Sequence, residues 1–464
     1  MLRCAGCAAN VDPLDPVSPD PFRCPNATRA PGVDHVLGWD SSSAGLAAWP
    51  SGTSINPFLR YAPLHHSYWL ARARGLGHDD YEAIVSRLDR AIAGVDATGH
   101  GFLITPFDRA DTASDAIGVE VWAKDETGNV AGSHKARHLM GLLLHLEVQK
   151  VPATRRLAIA SCGNAALAAA TLARAARRPL DVFVPPSADP MVLDHLRALH
   201  AAVTVCPRTA ADPPGDPCVH RFRQSLERGT LPFCCQGSEN GLNIDGGATI
   251  GQELADQLAI SELSPRRLFV QVGGGALGSA VVRGLRQAVA LGRLSALPAL
   301  HFVQTTGAAP LHRAWVKVAN RALGSLGSDL RADDHADVMV APEVAALLRT
   351  PEAAPAVTEA LRHAATHRSS YMWAWEEEPS SVAFGILDDE TYDWLVLVES
   401  MLTTGGWPVV VGEELLVEAN RLSGSGSTAD ETGTAGLAGL VQLRRSGVVA
   451  DAEPVVVLFT GVRR

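Results

Sequence analysis

The strongest candidate for chemistry in this 464-residue chain is a lysine on a glycine-containing turn. The chain has only four lysines among its 40 basic residues, and one of them, Lys135, directly follows Gly132-Ser133-His134. A lysine amine, unlike an arginine guanidinium, can lose its proton in a protein and become a nucleophile. Because a lysine can equally be an ordinary surface charge, the case depends on its neighbours. The residue type and its setting point to an imine-forming enzyme.

Two further turns carry small residues at places suited to anion binding. Residues 161–164 (Ser-Cys-Gly-Asn) follow an apolar run at 157–160, and residues 273–278 (Gly-Gly-Gly-Ala-Leu-Gly) follow another at 268–272. A glycine-rich turn that opens a helix exposes backbone N–H groups, and the helix N-terminus favours a negative charge. The sequence therefore predicts an anion-binding loop in addition to the reactive amine.

The turn at 273–278 also matches G-x-G-x-x-G, the pattern of dinucleotide-binding loops. That pattern expects an acidic residue about 20 positions further on, at the end of the next strand. The next predicted strand ends in Val303-Gln304-Thr305, which offers no carboxylate to a ribose. A dinucleotide site is therefore the weaker interpretation of this loop.

The elements that must position these turns alternate along the chain. Strands are predicted at 119–124, 157–160, 181–184, 202–205, 268–272, 301–304 and 455–459, and helices at 78–94, 135–149, 164–176, 189–200, 249–259 and 279–291. Short continuous apolar strands separated by helices indicate βαβ units with parallel strands buried on both faces. In such sheets ligands bind at the carboxyl ends of the strands, where all three turns would lie. Residues 320–385 show a less regular pattern, and no role is predicted for them.

Composition excludes several classes of protein. The formal net charge is −10 and the isoelectric point is about 5.9, which argues against nucleic acid or an anionic membrane as the main partner. No apolar run reaches the roughly 18 residues of a membrane span, and the N-terminus shows no apolar signal-peptide core. We therefore expect a cytoplasmic protein whose eight cysteines are reduced thiols.

The N-terminal cysteines resemble part of a zinc knuckle. Cys4 and Cys7 form a Cys-x-x-Cys pair, and Cys24 follows. A structural zinc site needs four ligands, the only nearby fourth candidate is His35, and the expected second Cys-x-x-Cys is absent. The spacing favours a knuckle that has lost its metal, so no metal site is predicted.

Taken together and in this order, the three turns resemble the fold-type II pyridoxal phosphate enzymes, which include serine and threonine dehydratases, threonine synthase, cysteine synthase and tryptophan synthase β. The resemblance covers about residues 55–310 and the terminal Thr460-Gly461. It implies an α/β fold of two open, mostly parallel twisted sheets flanked by helices, with the cofactor in the cleft between two domains. The implied units are an N-terminal extension (1–50), a large domain (51–135 with 235–464) and a small domain (136–234).

The resemblance also implies a role for each candidate site residue. Lys135 would form the internal aldimine with pyridoxal 5'-phosphate and later act as the acid–base amine, Asn164 would bind the 3-oxygen of the ring, and Thr460 would contact the pyridine nitrogen. The phosphate would be held by the backbone N–H groups of Gly273, Gly274, Gly275, Ala276 and Leu277, and the substrate carboxylate by Ser161, Cys162 and Gly163. A hydroxyl partner leaves the pyridine nitrogen unprotonated, which favours elimination over transamination.

The predicted reaction is a β-elimination, through an aminoacrylate, on a small hydroxy-amino acid such as threonine or serine. Residues 56–61 (Asn-Pro-Phe-Leu-Arg-Tyr) keep a threonine synthase-like conversion of phosphohomoserine open. Against that alternative, Ala136-Arg137-His138 follows the lysine where threonine synthases usually have Asp-Arg-Gly. A β-replacement enzyme and a catalytically inactive relative are further alternatives. A homodimer is expected by analogy, and Arg137 is expected at the surface rather than at the substrate.

Overall fold

The computed structural model describes residues 1–15, 21–27, 32–39, 45–210, 212–213, 215–333 and 340–463. Over these residues the chain is the α/β protein that the sequence predicted. The strands are β1 Leu2–Cys4, β2 Asn10–Val11, β3 Leu37–Trp39, β4 Phe107–Arg109, β5 Glu120–Asp125, β6 Leu157–Ala160, β7 Leu180–Val184, β8 Ala202–Val205, β9 Leu231–Pro232, β10 Arg267–Gln271, β11 Ala299–Thr305, β12 Val409–Val411 and β13 Pro454–Phe459.

Helices pack on both sheets. They are α1 Pro57–Arg60, α2 His66–Ala73, α3 His78–Ala93, α4 Asp111–Ile117, α5 Lys135–Val148, α6 Asn164–Ala175, α7 Pro190–Ala198, α8 Pro217–Glu227, α9 Asn243–Gly247, α10 Thr249–Ile260, α11 Ala276–Ala290, α12 Pro310–Ser325, α13 Ala341–Leu348, α14 Ala354–Thr366, α15 Trp394–Thr404, α16 Glu413–Leu422 and α17 Ala435–Arg445. In the part of the chain described, none of these helices has the length and apolar character needed to cross a membrane.

The larger sheet has six strands in the order β12-β11-β10-β13-β5-β4. All neighbouring strands are parallel except β4, which pairs antiparallel with β5. Strand β13 lies inside this sheet, between β10 and β5, although it is the last strand in the sequence. Its residues 455–459 are all buried, as expected for an apolar strand covered by helices on both faces.

The smaller sheet has four strands, all parallel, in the order β8-β7-β6-β9. Its strands fall between residues 157 and 232, whereas those of the larger sheet lie at 107–125 and 267–459. Helix α6 packs on α5 beside this sheet, and the alanines of α6 allow the two helices to approach closely. Two clusters of buried apolar side chains result, one around each sheet.

The region 320–385 is more regular than its sequence pattern indicated. Helices α13 and α14 lie within it, each with a proline in its first turn, where the missing N–H costs no hydrogen bond. Their alanine-rich faces weaken the contrast between apolar and polar positions, which explains why the helical period was missed. The segment that follows, residues 367–393, contains only two short 3-10 turns.

The N-terminus adds a third, very small sheet in the antiparallel order β2-β1-β3. Its described residues, 1–15, 21–27 and 32–39, are called the N-terminal unit below. The unit packs on the body of the protein through side chains such as Phe22, which meets the ring of His145 in α5, and Trp39, which lies under the guanidinium of Arg283 in α11.

Candidate active site

One cavity between the two larger sheets contains every residue named above as a candidate for cofactor or substrate binding. It encloses about 310 Å³, within the range of roughly 300–1,000 Å³ that is typical of small-molecule sites. The predicted residues that line it are Lys135, Ser161, Cys162, Gly163, Asn164, Gly273, Gly274, Gly275, Ala276, Leu277 and Thr460. The carboxyl ends of β6, β10 and β13 bring these residues together, as the strand-end rule predicts.

Lys135 is the first residue of helix α5 and is half-buried. The turn before it is fixed from two sides, because Asn129 Nδ2 donates to the Ser133 carbonyl (3.1 Å) and the Val462 N–H donates to the Gly132 carbonyl (3.2 Å). The second bond ties the lysine turn to the segment that follows β13. The lysine turn is therefore held by one local contact and by one distant part of the chain.

His134 also lines the cavity and is 92% buried, since 8% of its surface is exposed. Neither ring nitrogen has a hydrogen-bond partner among the described residues. Burial, reinforced by the charge of Lys135, lowers the pKa of this imidazole well below its ordinary value, so the ring is neutral. A buried, unpartnered polar ring at the wall of a cavity indicates that a polar ligand completes the site.

The glycine loop, residues 273–278, opens helix α11. Gly275 is the N-cap residue, has a φ of +100° that favours glycine, and provides no capping side chain. The first backbone N–H groups of a helix have no partner within it, so those of Ala276 and Leu277 are available to an anion at the cavity wall. This loop is the structural feature that fits a phosphate group.

Thr460 and Asn164 meet on the other side of the cavity. Gln271 Nε2 donates to the Thr460 hydroxyl oxygen (2.6 Å), which leaves the hydroxyl hydrogen to be donated elsewhere. Gly461, at a φ of +84°, lets Asn164 come close, because a Cβ at this position would lie 2.8 Å from Asn164 Nδ2. A hydroxyl that donates suits the nitrogen of a heteroaromatic ring, and an amide beside it suits an oxygen substituent on the same ring.

The turn at 161–163 stands at the start of helix α6, opposite the glycine loop. Its Gly163 is the N-cap residue, and the Ser161 hydroxyl accepts a hydrogen bond from the Gly163 N–H at 3.4 Å. The first-turn N–H groups of this 12-residue helix have no intrahelical partner. The geometry suits a second, smaller anion such as a carboxylate.

A part of the site that the sequence did not indicate is the covering segment, residues 380–393. Its residues Phe384, Gly385, Ile386, Leu387, Asp388 and Tyr392 line the cavity. The segment is held onto the glycine loop, since Thr391 Oγ1 donates to the Gly273 carbonyl (2.9 Å) and the Asp393 N–H donates to the Gly274 carbonyl (3.1 Å). It has no helical or strand period, so only the acidic run 388–390 could have drawn attention to it.

Asp388 brings a carboxylate onto the glycine loop itself. The carboxylate accepts a hydrogen bond from the Gly274 N–H, and a Cβ added at Gly273 would lie 2.4 Å from Asp388 Oδ2. Burial raises the pKa of Asp388, against the opposing effects of the Lys135 charge and the Gly274 N–H. The charge state of this carboxyl therefore contributes to the electrostatics of the cavity.

The sequence had suggested that Arg137 lies at the surface. Instead it is buried, and it does not line the cavity. It is fully buried, and its guanidinium binds Glu126 Oε2 (2.7 Å) and Glu253 Oε1 (2.5 Å). Burial alone would lower the pKa of Arg137, but the two carboxylates outweigh it and raise the pKa, so the group stays charged. The expectation was wrong because neither partner leaves a local pattern. Glu253 is remote in sequence, and Glu126 lies in the irregular turn after β5.

Comparison with protein-family models gives one match. The model described as "Pyridoxal-phosphate dependent enzyme" matches residues 100–367, more than half of the chain. The matched range includes the lysine turn, the turn at 161–164 and the glycine loop. No curated protein matches the chain in sequence.

Solved structures similar to this fold share little sequence with it. The processed form of threonine deaminase isoform 2 from Solanum lycopersicum has a TM-score of 0.56 and 16% identity, over 84% of this chain and 86% of that one. A fungal L-serine ammonia-lyase from Rhizomucor miehei has a TM-score of 0.53 and 18% identity, over 78% and 94%. Diaminopropionate ammonia lyase from Escherichia coli has a TM-score of 0.54 and 15% identity, over 82% and 88%. At these identities the likeness establishes the fold.

Proposed function

Because the chain belongs to the family of pyridoxal-phosphate dependent enzymes, we propose that it is a lyase that eliminates the β-substituent of a small amino acid. The observation that carries the proposal is the convergence of the Lys135 amine, the glycine loop and the Thr460 hydroxyl on one cavity. Threonine and serine, with a β-hydroxyl, are the first-choice substrates. Structural likeness to a threonine deaminase and an L-serine ammonia-lyase supports that choice.

The residues of the cavity fit the cofactor group by group. Lys135 would hold it covalently, Asn164 would bind its ring oxygen, and the free N–H groups of the glycine loop would bind its phosphate. Thr460 donates a hydrogen bond rather than a charge, so it suits an unprotonated ring nitrogen. When bound, the cofactor supplies the electron sink that stabilises negative charge at the substrate Cα.

The protein residues then have three tasks. The N–H groups at the start of helix α6 bind the substrate carboxylate and fix the orientation of the Cα–H bond. The Lys135 Nζ takes the proton from Cα, and the same ammonium returns it to the departing β-group, so that the protons balance. The covering segment keeps bulk water from the cavity during these transfers.

The charge of the cavity argues against a phosphorylated substrate. Among its lining residues, Lys135 is the sole lysine or arginine, whereas Asp216, Asp388 and Asp430 are acidic. A second phosphate beside the one on the cofactor would meet these carboxylates without a cation to bind it. We therefore place the threonine synthase-like conversion of phosphohomoserine behind β-elimination.

The same charge favours a second candidate, a substrate whose β-substituent is an amine. An ammonium group at Cβ would be attracted to Asp216 and Asp430, which line the cavity. The similarity of this fold to a diaminopropionate ammonia lyase makes 2,3-diaminopropionate the natural compound to test. Elimination from this substrate releases two ammonia molecules per 2-oxo acid, whereas serine or threonine releases one.

The first experiment tests the cofactor. Protein purified with pyridoxal phosphate should show the visible absorption of a protonated imine, and borohydride should fix the cofactor mass on the peptide that contains Lys135. The variant Lys135→Ala should show neither, while Lys150→Ala, a change outside the cavity, should behave like the natural chain. A colourless protein after reconstitution would contradict the proposal.

The second experiment distinguishes the substrates. L-Threonine, L-serine, 2,3-diaminopropionate and O-phosphohomoserine are each supplied, and 2-oxo acid, ammonia and inorganic phosphate are measured. A 2-oxo acid from serine or threonine supports the first choice, and two ammonia molecules per 2-oxo acid support the diamino acid. Release of phosphate with formation of threonine would establish the synthase alternative instead.

The homodimer and the cytoplasmic location stay predictions. The resemblance suggests a dimer, and light scattering coupled to size-exclusion chromatography measures it directly. Fractionation of the source cells tests the location.

A further inference from the structure

Four side chains of types that bind metal ions converge in the N-terminal unit, and none of them lines the cavity just described. The ligand atoms of Cys4, Cys7, Cys24 and His35 all lie within 4.8 Å of one another. Cys4 Sγ is 3.5 Å from His35 Nδ1, and Cys7 Sγ is 3.5 Å from Cys24 Sγ. The fold thus supplies the fourth ligand that the sequence spacing left uncertain, because His35 is brought beside Cys4 just before β3 pairs with β1.

These separations suit a tetrahedral zinc ion better than a disulfide. Zn–S bonds of about 2.3 Å and Zn–N bonds of about 2.0–2.1 Å give a tetrahedron with edges of roughly 3.5–3.8 Å. A disulfide would require the two sulfurs to lie about 2.05 Å apart, well inside the observed separation. Three thiolates with one imidazole are a set of ligands that selects zinc over calcium, magnesium or manganese.

The surroundings of the four side chains resemble those of structural metal sites in proteins. Cys4, Cys24 and His35 are buried, with exposures of 1%, 3% and 9%, whereas Cys7 is half-buried. Asn26 Nδ2 donates to Cys7 Sγ at 3.6 Å, a contact that would orient a sulfur ligand and offset part of its charge. The chain turns back tightly after the first cysteine, where the Ala8 N–H donates to the Cys4 carbonyl (3.1 Å).

We propose that Cys4, Cys7, Cys24 and His35 bind one structural zinc ion. The N-terminal unit needs such a support, because its sheet consists of strands of three, two and three residues. So small a sheet has too little apolar area to be stable alone, and structural metals commonly stabilise units of this size. The ion joins the start of the chain, the turn after Phe22 and the entry to β3 in one cluster.

The zinc cluster is connected to the covering segment through the residue next to a ligand. Asp34 Oδ1 accepts a hydrogen bond from Trp394 Nε1 (3.1 Å), and the Asp34 N–H donates to the Ala365 carbonyl (2.8 Å). Arg368 bridges Asp34 (3.5 Å) and Glu390 (2.5 Å). Because Glu390 belongs to the covering segment and Trp394 follows it directly, the ion fixes one end of the wall of the candidate active site.

The test begins with the metal content of the full-length protein purified without chelators. Elemental analysis should find one zinc per chain, and X-ray absorption at the zinc edge should find three sulfur neighbours and one nitrogen neighbour. Protein from cells grown with cobalt should show the long-wavelength bands of a tetrahedral cobalt thiolate, well separated from cofactor absorption. Substoichiometric zinc, or a Cys7–Cys24 disulfide in the peptide map, would overturn the proposal.

Variants assign the ligands. Cys7→Ser, which alters the most exposed ligand, should bind zinc at least tenfold more weakly, whereas Cys206→Ser, at a buried cysteine outside the cluster, should keep it. If Cys7→Ser does not fold, His35→Cys offers a second measurement. This variant should keep zinc, and its X-ray absorption spectrum at the zinc edge should show four sulfur neighbours. Unchanged zinc in a folded Cys7→Ser protein would exclude this set of ligands.

Hydrogen exchange tests the connection to the active site. Removal of zinc should increase exchange at 32–39 and at 384–392, while exchange in β7 of the smaller sheet should not change. Increased exchange confined to the N-terminal unit would refute the link to the covering segment and leave the metal site intact.

Discussion

At the scale of single residues, Asp388 is the most unexpected member of the candidate site. It occupies the Gly274 N–H of a loop that would otherwise be free for a phosphate. Two anions cannot share this loop at low cost, so one of them must be neutralised or displaced. Since burial has already raised the pKa of Asp388, protonation of its carboxyl is the less costly outcome.

Cofactor affinity should therefore depend on the charge of Asp388. As pH rises through the raised pKa of Asp388, its carboxyl loses a proton, and the resulting carboxylate repels the phosphate. The variant Asp388→Asn should bind pyridoxal phosphate roughly tenfold more tightly than the natural chain at high pH, and the difference should shrink as pH falls. Equilibrium dialysis across pH measures both affinities.

Asp451→Asn is the matched control, because this carboxylate is 87% exposed and pairs with Arg444 away from the cavity. It should leave cofactor affinity unchanged at every pH. A difference between Asp388→Asn and the natural chain that did not vary with pH would show that the carboxylate acts by shape and not by charge.

Residue types near the turns carried most of the predictable information about the site. Asn164 and Thr460 could be assigned to this edge of the sheets because each lies within a few residues of a strand end, and parallel strands bring their carboxyl ends together. Lys135 could be singled out by its residue type and its turn, since an irregular stretch separates it from the end of β5. Arg137 could not, although it is only two residues from Lys135. Its environment depends on Glu253 in α10, and a partner more than 100 residues away leaves no local pattern.

At the scale of elements, a buried ion network joins β5, α5 and α10. Lys124 Nζ lies 2.6 Å from Glu253 Oε2, and the same carboxylate group binds Arg137. All three side chains are fully buried. Burial would raise the pKa of Glu253, but the charges of Arg137 and Lys124 outweigh it and lower the pKa, so this carboxyl is ionised. Burial lowers the pKa of Lys124, against the opposing charges of Glu253 and Glu126.

Removing one member of this network should be costly. Glu253→Gln leaves two buried cations with one carboxylate less, and we expect the free energy of unfolding to fall by about 3–5 kcal/mol. Denaturant unfolding followed by circular dichroism measures it. The control Asp111→Asn breaks a pair on the surface with Arg109, where both side chains are well exposed, and should change stability little. Equal losses in the two variants would contradict this account.

The glycine loop allows backbone strain to be separated from ligand binding. Gly275→Ala and Gly292→Ala both place a side chain at positive φ, +100° and +71°, at opposite ends of helix α11. Gly292→Ala should lower the free energy of unfolding by about 1–2 kcal/mol. Gly275→Ala should lower it by at least as much, because its Cβ would also lie 3.0 Å from Thr391 Cγ2. Only Gly275→Ala should also weaken binding of pyridoxal phosphate, which titration of its absorbance measures. Equal cofactor affinity in the two variants would argue against the loop as the phosphate site.

Elements with a clear period were predictable, and those defined by long-range contacts were not. The seven predicted strands and helices α5, α6 and α10 lie within a few residues of their predicted bounds, because their apolar runs and turn residues are local signals, whereas the short parallel strand β12 was not predicted. The covering segment has neither period nor regular backbone. It is held by Thr391 and Asp393 on the glycine loop, contacts that cross more than 100 residues of sequence.

At the scale of the whole molecule, six histidines in the described part of the interior have lowered pKa values. Burial lowers the pKa of His65, His66, His134, His138, His145 and His301, to about 3 in His138 and His301 and about 4 in His145. His301 is kept neutral by burial and by the charge of Arg267, which donates to its Nε2 (3.0 Å), whereas the Trp407 carbonyl beside its Nδ1 (3.1 Å) opposes the lowering of the pKa.

These histidines should make the fold sensitive to acid. A histidine whose folded pKa is lowered stabilises the protein fully above its unfolded pKa of about 6.5, and this contribution is lost as pH falls toward the folded value. His301→Gln should therefore flatten the dependence of unfolding free energy on pH between 6 and 4 by up to about 1.4 kcal/mol per pH unit. Denaturant titrations at several pH values measure the slope.

Buried carboxyls with raised pKa values, such as Asp393 at about 8, act in the opposite direction, so the comparison between variants is the informative quantity. His78→Gln is the control, because the side chain of His78 is 51% exposed. It should leave the slope as it is in the natural chain. A slope unaltered in His301→Gln would show that this imidazole titrates in both states alike.

The position of β13 inside the larger sheet has a consequence for how the protein is made. The larger sheet and the cavity cannot form until residues 454–460 have been synthesised and have left the ribosome. The reason is that β13 lies between β10 and β5 and pairs with both. During translation the lysine turn and the glycine loop emerge long before the hydroxyl that faces them. Capture of the vitamin-derived cofactor should accordingly follow the synthesis of β13, and a ribosome-stalled chain ending before β13 should be colourless.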